Sequence, residues 1–446
     1  MPRRSSDDLR TLRRTPSHPS IEAMPLQRPI IPAIVSQHLE DAASLRSVRS
    51  VLVRAPHVKL LQLGRADERL LAHLDGLSVA GDEGYAMAQA ALEVPGVGQL
   101  FVVAALALER RDTAQIDRLL ALLPALPEAS RALASAFGWV SPPLLRGLTA
   151  RLLASPDPGA RRLGIASCAL HSVDPGPALA AGIAHPDSAL RATALGSAAR
   201  VGRVDLLGDC IDHLGDDDPT CRFAAGAAAV LLGDRQRGAE ALQTLALAKD
   251  FSALAALQLH LLAADPGKAR QLVRQLAAQG TALRTTIQAA GWAGDVQAVP
   301  WLIQQMADDR QARVAGEAFS FLTGADLALL DLERKPPENV EGGPTENPDD
   351  DDDNVALDED ESLPWPDGAK VHAWWKSHAS ELPQGERCFV GGVADTAHCM
   401  HLLATATQRQ RHAAALMLCL MRPGTPLFNV AAPAHRQRRQ LATMGT

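Results

Sequence analysis

Asp157-Pro158-Gly159-Ala160-Arg161, Asp187-Ser188-Ala189-Leu190-Arg191 and Asp218-Pro219-Thr220-Cys221-Arg222 decide the fold. Their aspartates stand 30 and 31 residues apart, and the arginines at 161, 191 and 222 keep the same step. The series runs on through Ala253, Arg284 and Arg313 at intervals of 31, 31 and 29. A second ladder, Gly202, Gly233, Ala264, Gly294 and Gly324, recurs every 30 or 31 residues. A fixed period in this range marks stacked supersecondary units, each needing its neighbours to cover an apolar face.

Each unit reads as two helices. An aspartate ahead of Pro or a small residue is a helix start, because its carboxylate accepts from orphan N–H groups and Pro is tolerated at the first position. In the second unit Ala189, Ala192, Leu195 and Ala199 form one apolar stripe, and Gly202 stops it. Val204, Leu206, Leu207, Cys210, Ile211 and Leu214 form the next stripe, closed by Gly215-Asp216. Pairs of helices of about twelve residues, each near 18 Å long, resemble HEAT repeats, including the Asp and Arg at the turn between units. The expected fold is all-α: a right-handed α-solenoid of HEAT-like helix pairs over residues 37–334, the helices of each pair meeting near 172, 202, 233, 264, 294 and 324. The repeated Asp and Arg are expected to cap helices and bond adjacent units, in preference to forming a binding ladder.

Composition agrees with helices zipped by Ala and Leu: 47% of residues are apolar and only 3% aromatic. The longest strongly apolar run, 101–108, is far too short to span a bilayer. Residues 1–23 are basic and polar without an apolar core of the signal-peptide kind, so cytoplasmic residence is expected. Six scattered cysteines (168, 210, 221, 388, 399 and 419) contain no Cys-x-x-Cys pair and read as reduced thiols. The net charge of −7 conceals an imbalance: residues 331–362 hold fourteen acids and two bases, leaving the remainder at +5. A mildly basic body with one acidic insert does not match a nucleic-acid binder.

The chain divides into a basic, disordered arm (1–23), a solenoid (24–334), an acidic, mobile linker (335–362) and a mostly helical C-terminal segment (363–446) that docks on the solenoid end. Residues 325–334, with four leucines, are expected to form the last solenoid helix. Gly81-Asp82-Glu83-Gly84 and Gly96-Val97-Gly98 are expected to be loops and not phosphate cradles, since no Gly-Lys-Ser/Thr follows. The acidic run lacks the spacing of an EF-hand.

No assembled catalytic or metal site is legible, and the expectation is a protein that is not an enzyme and carries no cofactor. Walker, Gly-x-Ser-x-Gly and dinucleotide fingerprints are missing. His398, Cys399 and His401, with Cys388 and His412, form the nearest thing to a zinc set, at long and irregular gaps. Some HEAT-like enzymes bind metal through repeated His-Glu dipeptides, which this chain lacks. HEAT-like DNA glycosylases need a basic aromatic groove, whereas the second helices here mix Asp205, Asp209 and Asp212 with Lys268, Arg270 and Arg274. Binding is therefore assigned to the second helices of the central and late repeats, read as the inner face, through Arg270, Arg274, Trp301, Gln304 and Gln305. Trp365, Trp374 and Trp375 are further candidates for protein contact or for docking the C-terminal segment.

From about Met24 onward the chain resembles one uncharacterised, mainly proteobacterial family of HEAT-repeat proteins. The resemblance rests on Gly316-Glu317-Ala318-Phe319-Ser320-Phe321-Leu322-Thr323-Gly324, the acidic arm into Leu363-Pro364-Trp365-Pro366, and Gln410-Arg411-His412-Ala413-Ala414-Ala415 through Pro426-Leu427-Phe428-Asn429-Val430. It implies a setting near type VI secretion spike and effector-associated proteins, and an accessory or adaptor that binds an effector or spike component. An immunity protein neutralising a toxin, or a HEAT-like enzyme (metal-dependent or nucleic-acid-directed), are the alternatives.

Overall fold

In the computed structural model, residues 30–248, 251–338 and 360–444 are described. The expected disordered arm (1–23) and most of the expected mobile linker lie outside them. The described residues form twenty-two α-helices and one two-stranded hairpin. The N-terminal set is α1 (Pro32–Leu52), α2 (Leu60–Val79), α3 (Gly81–Ala90), α4 (Val97–Arg110), α5 (Thr113–Leu120), α6 (Pro127–Trp139) and α7 (Leu148–Leu153). Helix pairs follow: α8 (Pro158–Leu170) with α9 (Pro177–Ile183), α10 (Ser188–Val201) with α11 (Leu207–Asp212), and α12 (Pro219–Leu231) with α13 (Arg237–Leu247). Next come α14 (Ala253–Ala263) with α15 (Pro266–Ala278), α16 (Leu283–Ala293) with α17 (Val299–Gln305), and α18 (Asp309–Thr323). The C-terminal segment holds α19 (Gly368–His378), β1 (Cys388–Phe389), β2 (Gly392–Val393), α20 (Thr396–Thr405), α21 (Gln408–Met421) and α22 (Ala434–Met444). Each first helix packs on the next, α8 on α10, α10 on α12, α12 on α14, α14 on α16 and α16 on α18. No described helix is long and apolar enough to cross a membrane.

The repeated side chains act at the ends of helices. Asp157 accepts from the Ala160 amide at 2.6 Å, Asp187 from Leu190 at 2.8 Å, and Asp218 from Thr220 at 2.8 Å, satisfying N–H groups that have no partner within the helix. Arg191 reaches into the turn before the next unit, donating to both oxygens of Asp216 at 2.7 and 2.9 Å. That fork holds the Asp216 carboxyl well below its usual range. Arg222 repeats part of the pattern on the carbonyls of Asp216 and Asp217. Alanines such as Ala194, Ala198, Ala225 and Ala228 are fully buried between first helices, where a small side chain permits close approach.

Residues 325–334 depart from expectation. They make a turn, with Asp331 at φ +53°, and then a bridge between Glu333 and Pro366. Leu329 and Leu330 stay exposed while only Leu327 and Leu332 are buried; ten residues with half their leucines in water gain too little burial to hold a helix. Helix α19 fills the space beside α18 instead, with Val371 buried and Trp374 edge-on to Phe319 at 5.7 Å. The boundary of the acidic linker also moves: Asp360 is buried and pairs with Arg284 at 2.6 and 2.7 Å.

The C-terminal segment, expected to dock on the end of the helix series, is not confined there. It runs back along the C-terminal ends of successive first helices and donates to their carbonyls. Val390 and Gly391 amides donate to Phe321 and Leu322 of α18 at 2.7 and 2.9 Å, and the Cys388 amide to Gly294 at 2.8 Å. Arg387 donates to Trp292 and Ala293 at the end of α16 and to Leu261 and Ala264 at the end of α14. Further along, Leu427 donates to Arg200 of α10, Asn429 to Leu170 of α8, and Arg436 to Trp139 and Val140 at the end of α6. These are the orphan carbonyls every helix leaves at its C-terminus, so the segment acts as one continuous cap. Helix α21 is apolar all round from Ala413 to Leu420 and packs on α12, α14 and α20, as a helix buried on every side must be. At its start the fully buried Arg411 donates to the Leu403 carbonyl at 2.7 Å and meets Gln408 and Gln437. The α1–α2 turn closes on the far end of the series: Lys59 lies 3.4 Å from Asp326, and Arg409 joins the Arg54 carbonyl to both oxygens of Glu317.

Two histidines in this scaffold set an acid limit. Desolvation lowers the pKa of His171, whose Nε2 lies 2.7 Å from the Phe137 carbonyl, and of His260, bonded to the Ala239 carbonyl. Below the ordinary imidazole value near 6.5, the unfolded chain binds protons that the folded one refuses. Their contribution is therefore complete above that pH and is lost as pH falls. The melting temperature is expected to drop between pH 7 and 5, and less steeply in His171→Asn; a flat profile would contradict these environments.

Candidate functional site

Arg270 and Arg274 sit one turn apart on α15, and Trp301 faces them from α17. Together with Val273, Thr286, Asp295 and Gln297 they line a groove of about 320 Å³. Asp295 caps the short turn entering α17, accepting from the Gln297 amide at 3.1 Å, and takes a bidentate fork from Arg270 at 2.5 and 3.2 Å. Arg270 is thus a bond between units, the counterpart of Arg191 on Asp216. Arg274 is exposed and makes no ion pair among the described residues, and Lys268 on the same helix is exposed as well. Trp301 is half-buried against the core of α16 and α18, with Gln305 donating weakly to its carbonyl at 3.5 Å. Gln304 is exposed and opens on a neighbouring recess beside Met306, Asp309 and Arg334.

Arg270, Arg274, Trp301, Gln304 and Gln305 all lie on second helices, the first two on α15 and the others on α17. Helix α17 also packs against α19 of the C-terminal segment, whereas α15 makes no comparable contact with that segment among the described residues. The later helix α21 lies on the first helices α12 and α14. The three late tryptophans divide. Trp365 is 8% exposed, with the guanidinium groups of Arg313 and Arg334 at 4.8 and 5.5 Å from its ring. Trp374 stacks on His378 at 4.2 Å, and Trp375 packs beside Val296, Leu382 and Cys388. Both remain half-exposed.

The His398 group is spread over separate structural tasks. The His398 ring lies 2.7 Å from the Phe389 carbonyl, Cys399 contacts Met417, Cys388 donates to Leu322, and His401 points to solvent. Among the described residues no three His, Cys, Asp or Glu side chains converge as a metal site would require. All six cysteines are free and buried, and burial pushes Cys210, Cys399 and Cys419 up to about 12, far from the thiolate range.

A second recess had no signal in the sequence. It holds about 380 Å³ between α1, α6 and residues 429–433, and Arg46, Arg49, Arg54 and Arg131 line it. Those arginines come from positions up to 85 residues apart, with no motif to join them. In comparisons with known proteins, no protein-family model and no curated protein matches this chain.

Proposed function

We propose that the protein is a non-enzymatic scaffold that holds an acidic segment of a protein partner on its second helices. In this reading the helix pairs are HEAT-like repeats wound as a right-handed solenoid, with one face permanently filled by the C-terminal segment. The observation carrying the reading is the α15–α17 groove, where the exposed Arg274 stands beside the half-buried Trp301. An aromatic anchor beside an exposed arginine suits a protein segment bearing carboxylates. The family resemblance supplies the setting, an accessory or adaptor of type VI secretion whose partner is an effector or spike component.

The test is affinity capture against spike and effector proteins of a type VI system, using the natural chain and an Arg274→Glu variant. The variant is expected to bind roughly tenfold more weakly, about 1.4 kcal/mol, with an unchanged melting temperature. Equal binding by both proteins would remove the groove from the interface, and binding by neither would remove the setting. Arg270→Glu should behave differently. It sets a second carboxylate against Asp295, whose side chain is only 10% exposed, and is expected to cost about 1–3 kcal/mol of stability, read as a lower urea midpoint.

A further inference from the structure

We propose that the arginine-lined recess between α1, α6 and residues 429–433 binds a small organic oxyanion, a phosphate or carboxylate carried on an apolar body. Its volume of about 380 Å³ falls within the usual span of small-molecule pockets, roughly 300–1,000 Å³. The wall is cationic: Arg46, Arg49, Arg54 and Arg131 all contribute. The floor is apolar, from Leu70, Phe101 and Trp139, with the Arg49 guanidinium 5.5 Å from the Trp139 ring centre.

The positive charge is not balanced from within. Asp67 is the buried acid nearby, and it is already engaged by Arg49 at 2.5 Å and by the Ala434 amide at 2.6 Å. Glu128 meets Arg131 only at 3.6 Å, with the Arg131 side chain 69% exposed. Arg46 has a neutral partner, the Ser135 hydroxyl at 2.6 Å. Desolvation, then Arg131 and Arg49, lower its pKa. Arg436, outside the lining itself, lies against the backbone of Trp139. One of its terminal nitrogens donates to the Trp139 and Val140 carbonyls, while the other is buried with no hydrogen-bond partner.

Guanidinium groups gathered in a partly desolvated recess repel one another, and their planar forks match the oxygens of phosphate and carboxylate. An oxyanion would relieve the repulsion, and an apolar body would cover Phe101 and Trp139. Because Asn429, Ala431 and Pro433 form one wall, the ligand would also bind the C-terminal segment to α1 and α6. Ligand binding would then raise thermal stability.

Calorimetric titration of the full chain with phenyl phosphate and, separately, benzoate, at ionic strength held constant with potassium chloride, tests the assignment. Saturable binding of either probe, with a matching rise in melting temperature, is expected. Phenyl phosphate alone identifies a phosphate ester site, benzoate alone a carboxylate site, and both a general oxyanion site. Arg46→Gln and Arg131→Gln should each weaken binding at least tenfold, whereas Arg274→Gln should leave it unchanged. Arg131 is exposed enough that its variant keeps the fold should Arg46→Gln lose it. Binding of neither probe, or binding indifferent to Arg131→Gln, overturns the proposal.

Discussion

Replacing Arg387 by Ala is expected to lower the stability of the protein by about 3–5 kcal/mol, a larger loss than any surface substitution should give. One guanidinium here donates four hydrogen bonds, at 2.9 and 3.0 Å to the end of α16 and at 2.9 and 2.6 Å to the end of α14. The carbonyls at a helix C-terminus carry the negative end of the helix dipole, so a cation across two of them is favourably placed. Burial pulls the Arg387 pKa down only to about 10, and the charge persists at neutral pH. Alanine leaves the carbonyls of two adjacent units without that donor. Arg387→Lys is expected to recover less than half of the loss, because a single ammonium cannot span both helices as the planar fork does. Chemical denaturation followed by circular dichroism gives both numbers; a loss below about 1 kcal/mol would place the tie between α14 and α16 elsewhere.

Gly202→Ala should cost about 2–4 kcal/mol, whereas Gly280→Ala should cost about 1 kcal/mol. Both glycines follow a helix in left-handed backbone, φ +76° and +69°, so both substitutions incur the same conformational strain. They differ in what lies outside. A Cβ on Gly202 would collide with the Gly424 carbonyl oxygen, and one on Gly280 would meet nothing within 4 Å. The difference between the two variants measures how firmly the C-terminal segment sits on the end of α10. Equal losses would mean that Gly202 serves only its own turn. Gly324 belongs with Gly202, because its added Cβ would lie 2.8 Å from the Val390 carbonyl oxygen.

The contrast explains what a linear reading could see. The aspartate steps at 157, 187 and 218 announce helix starts because capping is local, and Gly202, Gly294 and Gly324 announce helix ends for the same reason. The all-α class and the pairing of helices follow from those signals. The second use of the glycines, as places where another backbone lands, leaves no mark in the sequence. Docking through backbone carbonyls imposes no side-chain period, so the path of residues 387–436 across the ends of six helices was invisible. One clue stood in α21: the run from Ala413 to Leu420 has no polar face, which a terminal helix on a solenoid end would need. In the α15–α17 groove, Arg270 and Trp301 were recognisable as long polar and aromatic groups on second helices. That Arg270 is already held by Asp295 depends on a contact 25 residues away. The arginines of the second recess come from α1, the α1–α2 turn and α6, and only folding brings their charges together.

Hydrogen exchange of the amides of Cys388, Val390, Gly391, Gln408 and Leu427 tests the account's central claim most directly, that the C-terminal segment is a permanent cap on the helix ends. Each of these donates to a carbonyl of the helical body, Gly294, Phe321, Leu322, Val58 and Arg200 respectively. All five are expected to exchange as slowly as the interior amides of α10, α12 and α16, through the same global opening. Exchange at the rate of a free peptide, with those helices still protected, would contradict it.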